Sequence, residues 1–318
     1  MKGMIRVGLL ILSLLSSGCI YNLSLFPDLK PLKETVLEES GGDAKILLLD
    51  IFGVISEEPK DGIVEEPSIV ARVKEELLLA EKDGHVKAII LKINSPGGTV
   101  TASDLIYHEI VQFKERTGIK VIASISGIGA SGAYYIAMAA DKVIANPTAV
   151  TGSIGVIMLH MDLHGLLEKF GVGAEAIKSG PHKDMGSPFK ELSAEDRDIF
   201  QKMIFEMQGR FLEIVARGRK GMSPKQLETV SDGRIFSANQ AKAMNLIDHI
   251  GHMDYVIDLA KREANLTQAK LIKYRRSQGY PYNIYSRTPG VSSLSAWKLD
   301  PKELLGERSV NFFYLWLP

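Results

Sequence analysis

Short apolar runs alternate along this chain with segments of helical spacing. The runs occupy Lys45–Ile55, Val86–Ile93, Lys120–Ser126 and Lys142–Ala145. Runs that are apolar on consecutive residues are typical of strands buried on both faces of a parallel sheet. Between them, apolar residues recur at the spacing of one helix face. This alternation predicts an α/β fold in which helices cover both sides of the sheet.

The part of the chain after Gly180 is predicted to be mostly helical. The segment Ser193–Arg217 opens with the pair Ser193 and Asp196, a helix-capping pattern, and carries apolar residues at helical spacing. We interpret these apolar residues as part of the core or of a subunit interface. From about Gln268 the tail is predicted to contain one strand and irregular chain, and it ends in the apolar, aromatic sequence NFFYLWLP.

Composition excludes several functional classes. The 318 residues carry 38 basic and 38 acidic side chains, so no basic surface for nucleic acid is expected. The single cysteine, Cys19, cannot form a disulfide within the chain and makes a cysteine zinc site implausible. The seven histidines show no metal-ligand spacing. Composition therefore gives no sign of a metal site.

The N-terminus has the pattern of an export signal. Lys2 and Arg6 precede the apolar run Val7–Leu15, and small residues then lead to Cys19. This arrangement resembles the lipobox of bacterial lipoproteins, in which the cysteine is lipidated. The alternative is an uncut anchor, because Val7–Pro27 is uncharged and a helix of that length can span the roughly 30 Å hydrocarbon core. Both alternatives predict a membrane-anchored protein whose body lies on the extracytoplasmic side.

Two segments combine small residues with tight backbone geometry. Asn94–Gly98 follows a predicted strand, and its paired glycines either aim backbone N–H groups at one point, as an oxyanion hole requires, or form an ordinary turn. Gly127–Tyr135 lies between a strand and a helix. It places Ser131 at a helix N-terminus, where positive potential favours an oxyanion, although a serine there is also a common helix cap.

A third segment, Lys178–Pro188, is a Gly/Pro-containing loop with two lysines. A free lysine has a pKa of about 10.4 and is a poor base at neutral pH. Desolvation lowers a lysine pKa by up to several units, which turns the side chain into a general base. The alternative is an ordinary solvated loop.

Together these segments resemble the signal peptide peptidase A (SppA) family of bacterial and archaeal serine peptidases, which is related to the Clp protease and crotonase folds. The resemblance extends from about Lys45 to Gly251, and Ala133 departs from it where the family commonly has glycine. Five ordered segments carry it: INSPGGTV (93–100), ASISGIGASGAYYIAMAADKVIANP (123–147), TGSIGV (151–156), IKSGPHKDMGSPFK (177–190) and DGRIFSANQA (232–241). One copy of this motif set indicates the short, single-domain form.

The resemblance implies an α/β fold of the Clp protease/crotonase type, a spiral of β-β-α units with a helical C-terminal extension. Combined with the N-terminal pattern, it divides the chain into four parts. These are a signal, lipoprotein or transmembrane anchor at 1–27, a linker at 28–44, a peptidase domain at 45–265 and a C-terminal tail at 266–318.

The resemblance also implies the site residues. Ser131 is the implied nucleophile and Lys183 the implied general base of a Ser/Lys dyad. Gly98 and Gly132 are the implied sources of the oxyanion-hole N–H groups. Ser153 is expected to hydrogen-bond the lysine and orient it.

The implied activity is that of a membrane-anchored serine endopeptidase that degrades residual signal peptides or other peptides near the membrane. Lys178 is the rival candidate for the general base, and the implied Ser/Lys mechanism requires no metal or cofactor. The family forms ring- or dome-shaped oligomers in which Ser and Lys can come from neighbouring subunits, so a homo-oligomer, with an octamer as the expected count, is predicted.

Two competing hypotheses come from other functional classes. One is a non-catalytic membrane scaffold with a degraded site, against which the intact Ser131, Lys183 and Gly98 argue. The other is a crotonase-like acyl-CoA enzyme that uses the same kind of oxyanion hole, against which the export signal argues.

Overall fold

The structure, a computed structural model, describes residues 30–59, 66–276 and 312–316. The strands of this part are β1 (Lys33–Glu38), β2 (Lys45–Phe52), β3 (Val86–Ser95), β4 (Gly97–Thr99), β5 (Lys120–Ala130), β6 (Lys142–Ala145), β7 (Val150–Gly152), β8 (Ile157–Met158), β9 (Ile235–Ser237), β10 (His249–Ile250), β11 (Lys270–Arg275) and β12 (Phe312–Leu315). Its helices are α1 (Ile69–Lys82), α2 (Val100–Thr117), α3 (Gly132–Ala137), α4 (His164–Lys169), α5 (Ala194–Gly218), α6 (Pro224–Val230), α7 (Ala238–Ala243) and α8 (Met253–Glu263).

A mixed sheet forms the centre of the molecule. Its strands follow the order β1-β11-β2-β3-β5-β6-β10, and β7 and β9 extend it from β5. The inner strands β2, β3, β5 and β6 are parallel, whereas β1 and β9 are antiparallel to their partners. The predicted α/β fold with a largely parallel sheet is confirmed.

The continuous apolar run in β2 is explained by burial on both sides of the sheet. Leu47 and Leu49 belong to the core cluster on one face, with α1, α2 and α3. Ile46 and Leu48 belong to a second cluster on the other face, with α8. Because successive side chains of a strand point to opposite faces, two covered faces require apolar residues at consecutive positions.

Polar caps determine where α2 and α5, the helices next to the candidate active site, begin. The Thr99 side chain accepts a hydrogen bond from the Ala102 N–H, so α2 starts directly after Thr99. The Ser193 side chain accepts from the Asp196 N–H at the start of α5. Each cap satisfies a backbone donor that the helix itself leaves free, which stabilises the start by about 1 kcal/mol.

One strand forms in the segment that the sequence analysis assigned to a linker, and it pairs with the strand predicted in the tail. β1 lies within residues 28–44 and pairs with β11, which lies in the tail. β1 is an edge strand, and its Val36 is 37% exposed. Only Thr35 and Leu37 of its six residues are partly buried, so the alternation is too short to be recognised in the sequence.

A second, small sheet has the strand order β4-β12-β8. It joins the Gly97–Thr99 segment to the C-terminal residues Phe312–Leu315, which the sequence analysis placed in an irregular tail. The predicted anchor at 1–27, including Cys19, lies outside the described residues. Within the described ranges, no helix is both long and apolar enough to cross a bilayer, and no group of His, Cys, Asp and Glu side chains could hold a metal ion.

Candidate active site

Ser131 lies at the junction between β5 and α3. Its backbone has φ 55° and ψ −119°, a conformation that a non-glycine residue adopts only when its surroundings impose it. The residue is 1% exposed, and its Oγ has no hydrogen-bond partner among the described residues. A buried hydroxyl without a partner typically costs about 1–3 kcal/mol, so this serine is maintained at the expense of stability.

The backbones of the two predicted oxyanion-hole glycines lie side by side. The Thr99 N–H donates to the Ile55 carbonyl and the Ile55 N–H donates to the Gly97 carbonyl, each at 2.9 Å. Because backbone groups of successive strand residues point in opposite directions, the Gly98 N–H faces away from Ile55. A methyl group added at Gly132 would lie 3.3 Å from the Gly98 nitrogen. With the two backbones this close, their N–H groups are candidates to share one oxyanion.

Close packing explains why both positions are glycine. A side chain at Gly98 would overlap the Ile55 carbonyl oxygen, a backbone atom that cannot turn away. At Gly132 it would overlap the Ser103 Oγ, which is held by a 2.8 Å hydrogen bond to the Thr99 carbonyl. Glycine is required here because it alone lets two backbone segments approach each other this closely.

The structure brings Ser153 next to Ser131. The parallel pairing of β5 with β7 sets Ala130 opposite Gly152. Ser131 and Ser153 are the next residues of the two strands and therefore lie beside each other. Ser153 is buried, has φ 51°, and donates its N–H to the Arg234 carbonyl over 2.7 Å. Its predicted hydrogen bond to the lysine stays a prediction.

Lys183 lies in the turns at residues 181–186 and is exposed. Within the described ranges, no hydrogen bond or salt bridge engages its ammonium group, and the Ser131 Oγ has no partner either. The predicted dyad is therefore not closed by a hydrogen bond within one protomer. The role of Lys183 as the base stays a prediction.

Lys178, the rival base, is engaged elsewhere. Its Nζ lies 2.8 Å from both carboxylate oxygens of Asp184 and 3.2 Å from the Pro181 carbonyl. The Lys190 Nζ binds the same carboxylate at 2.7 Å. Hydrogen bonds from Lys178 and Lys190 lower the pKa of Asp184 to about 2. Lys178 thus serves the structure of the loop, which favours Lys183 for proton transfer.

Similarity to known proteins decides the family. The model described as Peptidase family S49 matches residues 113–267. A protein of Enterococcus faecium assigned as a signal peptide peptidase SppA is 35% identical over 243 residues, which cover 76% of this chain and 70% of the relative. This chain belongs to peptidase family S49. The predicted SppA family and the predicted enzyme class, a serine peptidase, are confirmed.

Two further relatives and one solved structure are also similar to this S49 peptidase. One from Methanocaldococcus jannaschii, assigned as a protease, is 34% identical over 67% of this chain and 68% of its own length. The chloroplastic serine protease SPPA of Arabidopsis thaliana is 33% identical over 76% of this chain, which corresponds to 35% of that longer protein. Among solved structures, a ClpP1 point mutant of Listeria monocytogenes matches 65% of this chain and 92% of its own, with a TM-score of 0.43 and 23% identity.

A polar network that the sequence analysis missed anchors the lysine loop of the S49 peptidase. The His182 Nδ1 lies 2.7 Å from the Asp196 carboxylate, and the Lys190 Nζ lies 3.3 Å from it. Asp196 is 2% exposed at the start of α5, and the hydrogen bond to His182 is the main reason that its pKa is lowered. The sequence analysis assigned Asp196 only a capping role and gave His182 no partner, because the two residues lie in different elements and only the fold brings them together.

An aromatic pocket next to Ser131 was also missed. The Tyr135 ring packs edge-on against Tyr107 at 5.4 Å and against Phe211 of α5 at 5.1 Å. The Tyr135 hydroxyl donates to the Asp104 carboxylate, and burial raises the pKa of this tyrosine. The two tyrosines directly after Ala133 could have indicated an aromatic cluster at this point of the sequence. Only the fold shows that α5 packs against it.

Proposed function

We propose that this S49 peptidase is a membrane-anchored endopeptidase that degrades residual signal peptides or other apolar peptides near the membrane. The observation that carries the proposal is the buried Ser131 hydroxyl, without a hydrogen-bond partner in the described ranges, beside the Gly98 and Gly132 backbones. A strained backbone and an unsatisfied hydroxyl are tolerated where function needs them. The assignment of the Enterococcus faecium relative supports signal peptides as the substrate class.

In the proposed mechanism, a neutral Lys183 takes the proton of Ser131 as the Oγ attacks the scissile carbonyl carbon. The backbone N–H groups of Gly98 and Gly132 stabilise the resulting oxyanion. Lys183 returns the proton to the leaving amine, which departs and leaves an acyl-enzyme on Ser131. Water then attacks the ester by the same route and releases the acid, so that one peptide bond is hydrolysed and the enzyme is restored.

We further propose that Lys183 reaches Ser131 of a neighbouring subunit in a homo-oligomer. The exposed position of Lys183 supports this, as does the apolar surface of the segment around it. Six large apolar side chains of that segment are exposed: Met161, Leu166, Phe170, Val172, Ile177 and Phe189. Exposed apolar side chains concentrated in one segment are typical of a contact surface. An octamer is the expected assembly.

Complementation tests the shared site. Ser131→Ala and Lys183→Ala subunits are each expected to be inactive alone. When they are mixed and allowed to reassemble, intact Ser131 and Lys183 can meet at an interface, which restores up to roughly a quarter of the sites. A mixture that stays inactive, while an affinity tag on one variant co-purifies the other, would place both residues of the dyad in one subunit.

For the location, we propose a lipoprotein whose Cys19 carries the lipid, with the catalytic body on the extracytoplasmic side. Support comes from the basic residues, short apolar run and small residues before Cys19. Metabolic labelling with a lipid precursor and membrane fractionation of wild type and Cys19→Ala test it. Loss of both label and membrane attachment in the variant is expected. A variant that stays in the membrane without label would favour the spanning anchor.

Catalysis is tested on the purified full chain in detergent micelles. Wild type, Ser131→Ala, Lys183→Ala and the control Lys178→Ala are compared in cleavage of an apolar fluorogenic peptide and in labelling by a fluorophosphonate. Only the Ser131 and Lys183 variants are expected to lose turnover, and the rising limb of the rate against pH then reports the lysine pKa. A folded, oligomeric wild type that neither cleaves nor labels would support the scaffold hypothesis instead.

A further inference from the structure

The helix that follows the candidate nucleophile is too short to hold its own first turn. α3 has six residues, Gly132–Ala137, and within the described ranges the Ser131 side chain accepts no capping hydrogen bond. Isolated helices of this length are unstable in water. The strained φ of 55° at Ser131 persists only where the surrounding structure imposes it. Contacts between α3 and the rest of the fold must therefore hold this turn.

Tyr134 ties this turn to a distant part of the chain. It lies three residues after Ser131, so the two residues belong to the same helical turn. The Tyr134 side chain is fully buried, and its hydroxyl donates a 2.7 Å hydrogen bond to the Leu246 carbonyl, in the turn between α7 and β10. The two residues are 112 positions apart in the sequence. Because neither group can turn to water instead, breaking this bond would leave both of them unsatisfied.

An ion pair fixes the acceptor side of this hydrogen bond. The Asp248 N–H donates to the Val143 carbonyl over 2.8 Å, and the Asp248 carboxylate accepts from the Val143 N–H at 2.7 Å. Arg219, the residue that follows α5, donates from its Nη1 to the same carboxylate over 2.9 Å. The turn that contains Leu246 is thus fastened both to β6 and to the end of α5.

The Arg219 side chain also lies against the Tyr134 hydroxyl. Burial raises the pKa of Tyr134 to about 12, and the Arg219 charge partly offsets this effect. Arg219 is 6% exposed, and its Nε and Nη2 are buried without a hydrogen-bond partner among the described residues. Unsatisfied buried donors lower stability. The fold therefore keeps a guanidinium beside Tyr134 at a cost that an apolar side chain of similar volume would avoid.

We infer that Tyr134 is a positioning residue, whose hydroxyl holds the first turn of α3 and thereby keeps Ser131 in its strained conformation. The Arg219–Asp248 pair supports it by holding the Leu246 turn and the Tyr134 hydroxyl together. The catalytic consequence rests on the proposed role of Ser131 as the nucleophile. The structural content, that this hydroxyl holds α3 in place, is testable without turnover.

The kinetic test compares the full-length variants Tyr134→Phe and Thr117→Val in detergent micelles. Thr117→Val is the matched control, because the Thr117 hydroxyl donates to the Phe113 carbonyl over 2.8 Å, at the opposite end of β5 from Ser131. Tyr134→Phe keeps the ring and is expected to lower kcat and the rate of fluorophosphonate labelling about 10–10²-fold, because a displaced nucleophile loses its alignment. KM is expected to change by less than about twofold, since no substrate contact is removed. Equal kcat and labelling rates in the two variants would overturn the inference.

A second variant, Arg219→Lys, keeps a positive charge for Asp248 and removes the guanidinium from Tyr134. It is expected to change kcat and labelling in the same direction as Tyr134→Phe, with KM again unchanged. It carries the kinetic test if Tyr134→Phe does not fold. In that case, wild-type kcat and labelling in folded Arg219→Lys would overturn the inference.

Hydrogen exchange separates this inference from the proposed catalysis. Deuterium uptake of residues 132–137 is followed by mass spectrometry in the wild type and the variants, with residues 88–93 of β3 as the internal reference. Exchange in 132–137 is expected to be at least about tenfold faster in Tyr134→Phe, while the reference segment and Thr117→Val keep wild-type rates there. Faster exchange in a variant whose wild type neither cleaves nor labels would sink the proposed function and leave the anchoring role of Tyr134 standing. Unchanged exchange in 132–137 would sink the anchoring role, whatever the activity.

Discussion

The Ser131 N–H donates a 2.8 Å hydrogen bond to the Gly152 carbonyl. This bond fixes the backbone of the proposed nucleophile to β7, the strand that leads into Ser153. Gly152 has φ 93°, and a side chain there would clash with the Phe236 ring. The positive φ at Ser131 is therefore held by a neighbouring strand whose own shape requires glycine.

Replacing Ser131 with alanine is expected to abolish peptide cleavage without lowering stability. Its buried Oγ makes no hydrogen bond in the described structure, so its removal leaves no partner unsatisfied and raises the free energy of unfolding by about 1–3 kcal/mol. Ser103→Ala is the matched control, because its buried hydroxyl donates to the Thr99 carbonyl and its loss should cost about 1 kcal/mol. Urea denaturation of both variants checks this. A less stable Ser131→Ala would mean that the hydroxyl has a structural partner.

Gly98→Ala is expected to lower kcat by about 10²–10³-fold, the usual effect of losing one oxyanion-hole donor. The added methyl group would overlap the Ile55 carbonyl oxygen, so β4 must shift. The N–H of residue 98 then leaves its place beside Gly132. Gly84→Ala is the control, since a side chain there meets nothing within 4 Å. Steady-state kinetics and thermal unfolding are measured for both. A wild-type kcat in folded Gly98→Ala would remove this N–H from the mechanism.

Asp184→Asn is expected to loosen the lysine loop. Asp184 holds Lys178 and Lys190, and these ion pairs lower its pKa to about 2. A carboxyl group whose folded pKa is depressed stabilises the fold above its unfolded pKa of 3.8, and this contribution is lost as pH falls from there towards about 2. Cleavage of residues 178–190 by an added protease at neutral pH should therefore speed up in Asp184→Asn. Asp198→Asn, which removes an exposed helix-surface pair with Lys202, should leave that rate unchanged.

Glu76 is expected to make the free energy of unfolding depend on pH with a sign opposite to that for Asp184. It is 2% exposed on α1, 2.7 Å from Arg72, and burial raises its pKa from 4.5 to about 7. The folded state then binds the proton more tightly, so this group's contribution to the free energy of unfolding falls as pH rises from about 4.5 to about 7. The fall is on the order of 3 kcal/mol. Denaturant titrations across this range should show this fall in Glu206→Gln, an exposed control that keeps Glu76. The fall should be absent from Glu76→Gln.

Much of this molecule follows from local sequence. The apolar runs predicted the positions of β2, β3, β5 and β6, because a strand buried on both faces needs apolar residues at consecutive positions. The motif around Ser131 also identified the candidate nucleophile and, through the resemblance, Gly98 and Ser153 beside it. The structure brings these three positions together because parallel strand ends meet at one edge of the sheet.

Two features were decided only by tertiary structure. Residue spacing alone does not distinguish Lys178 from Lys183, for which only the resemblance named a role, whereas the folded chain pairs Lys178 with Asp184. The apolar sequence NFFYLWLP showed that the C-terminus avoids water but not where it docks. Strand pairing joins residues far apart in the chain, here Gly98 and Tyr314, and hydrophobic periodicity carries no information about the partner. The local pattern thus determined which residues form the central strands and the candidate site, and the packing of distant segments determined that the C-terminal strand lies against β4.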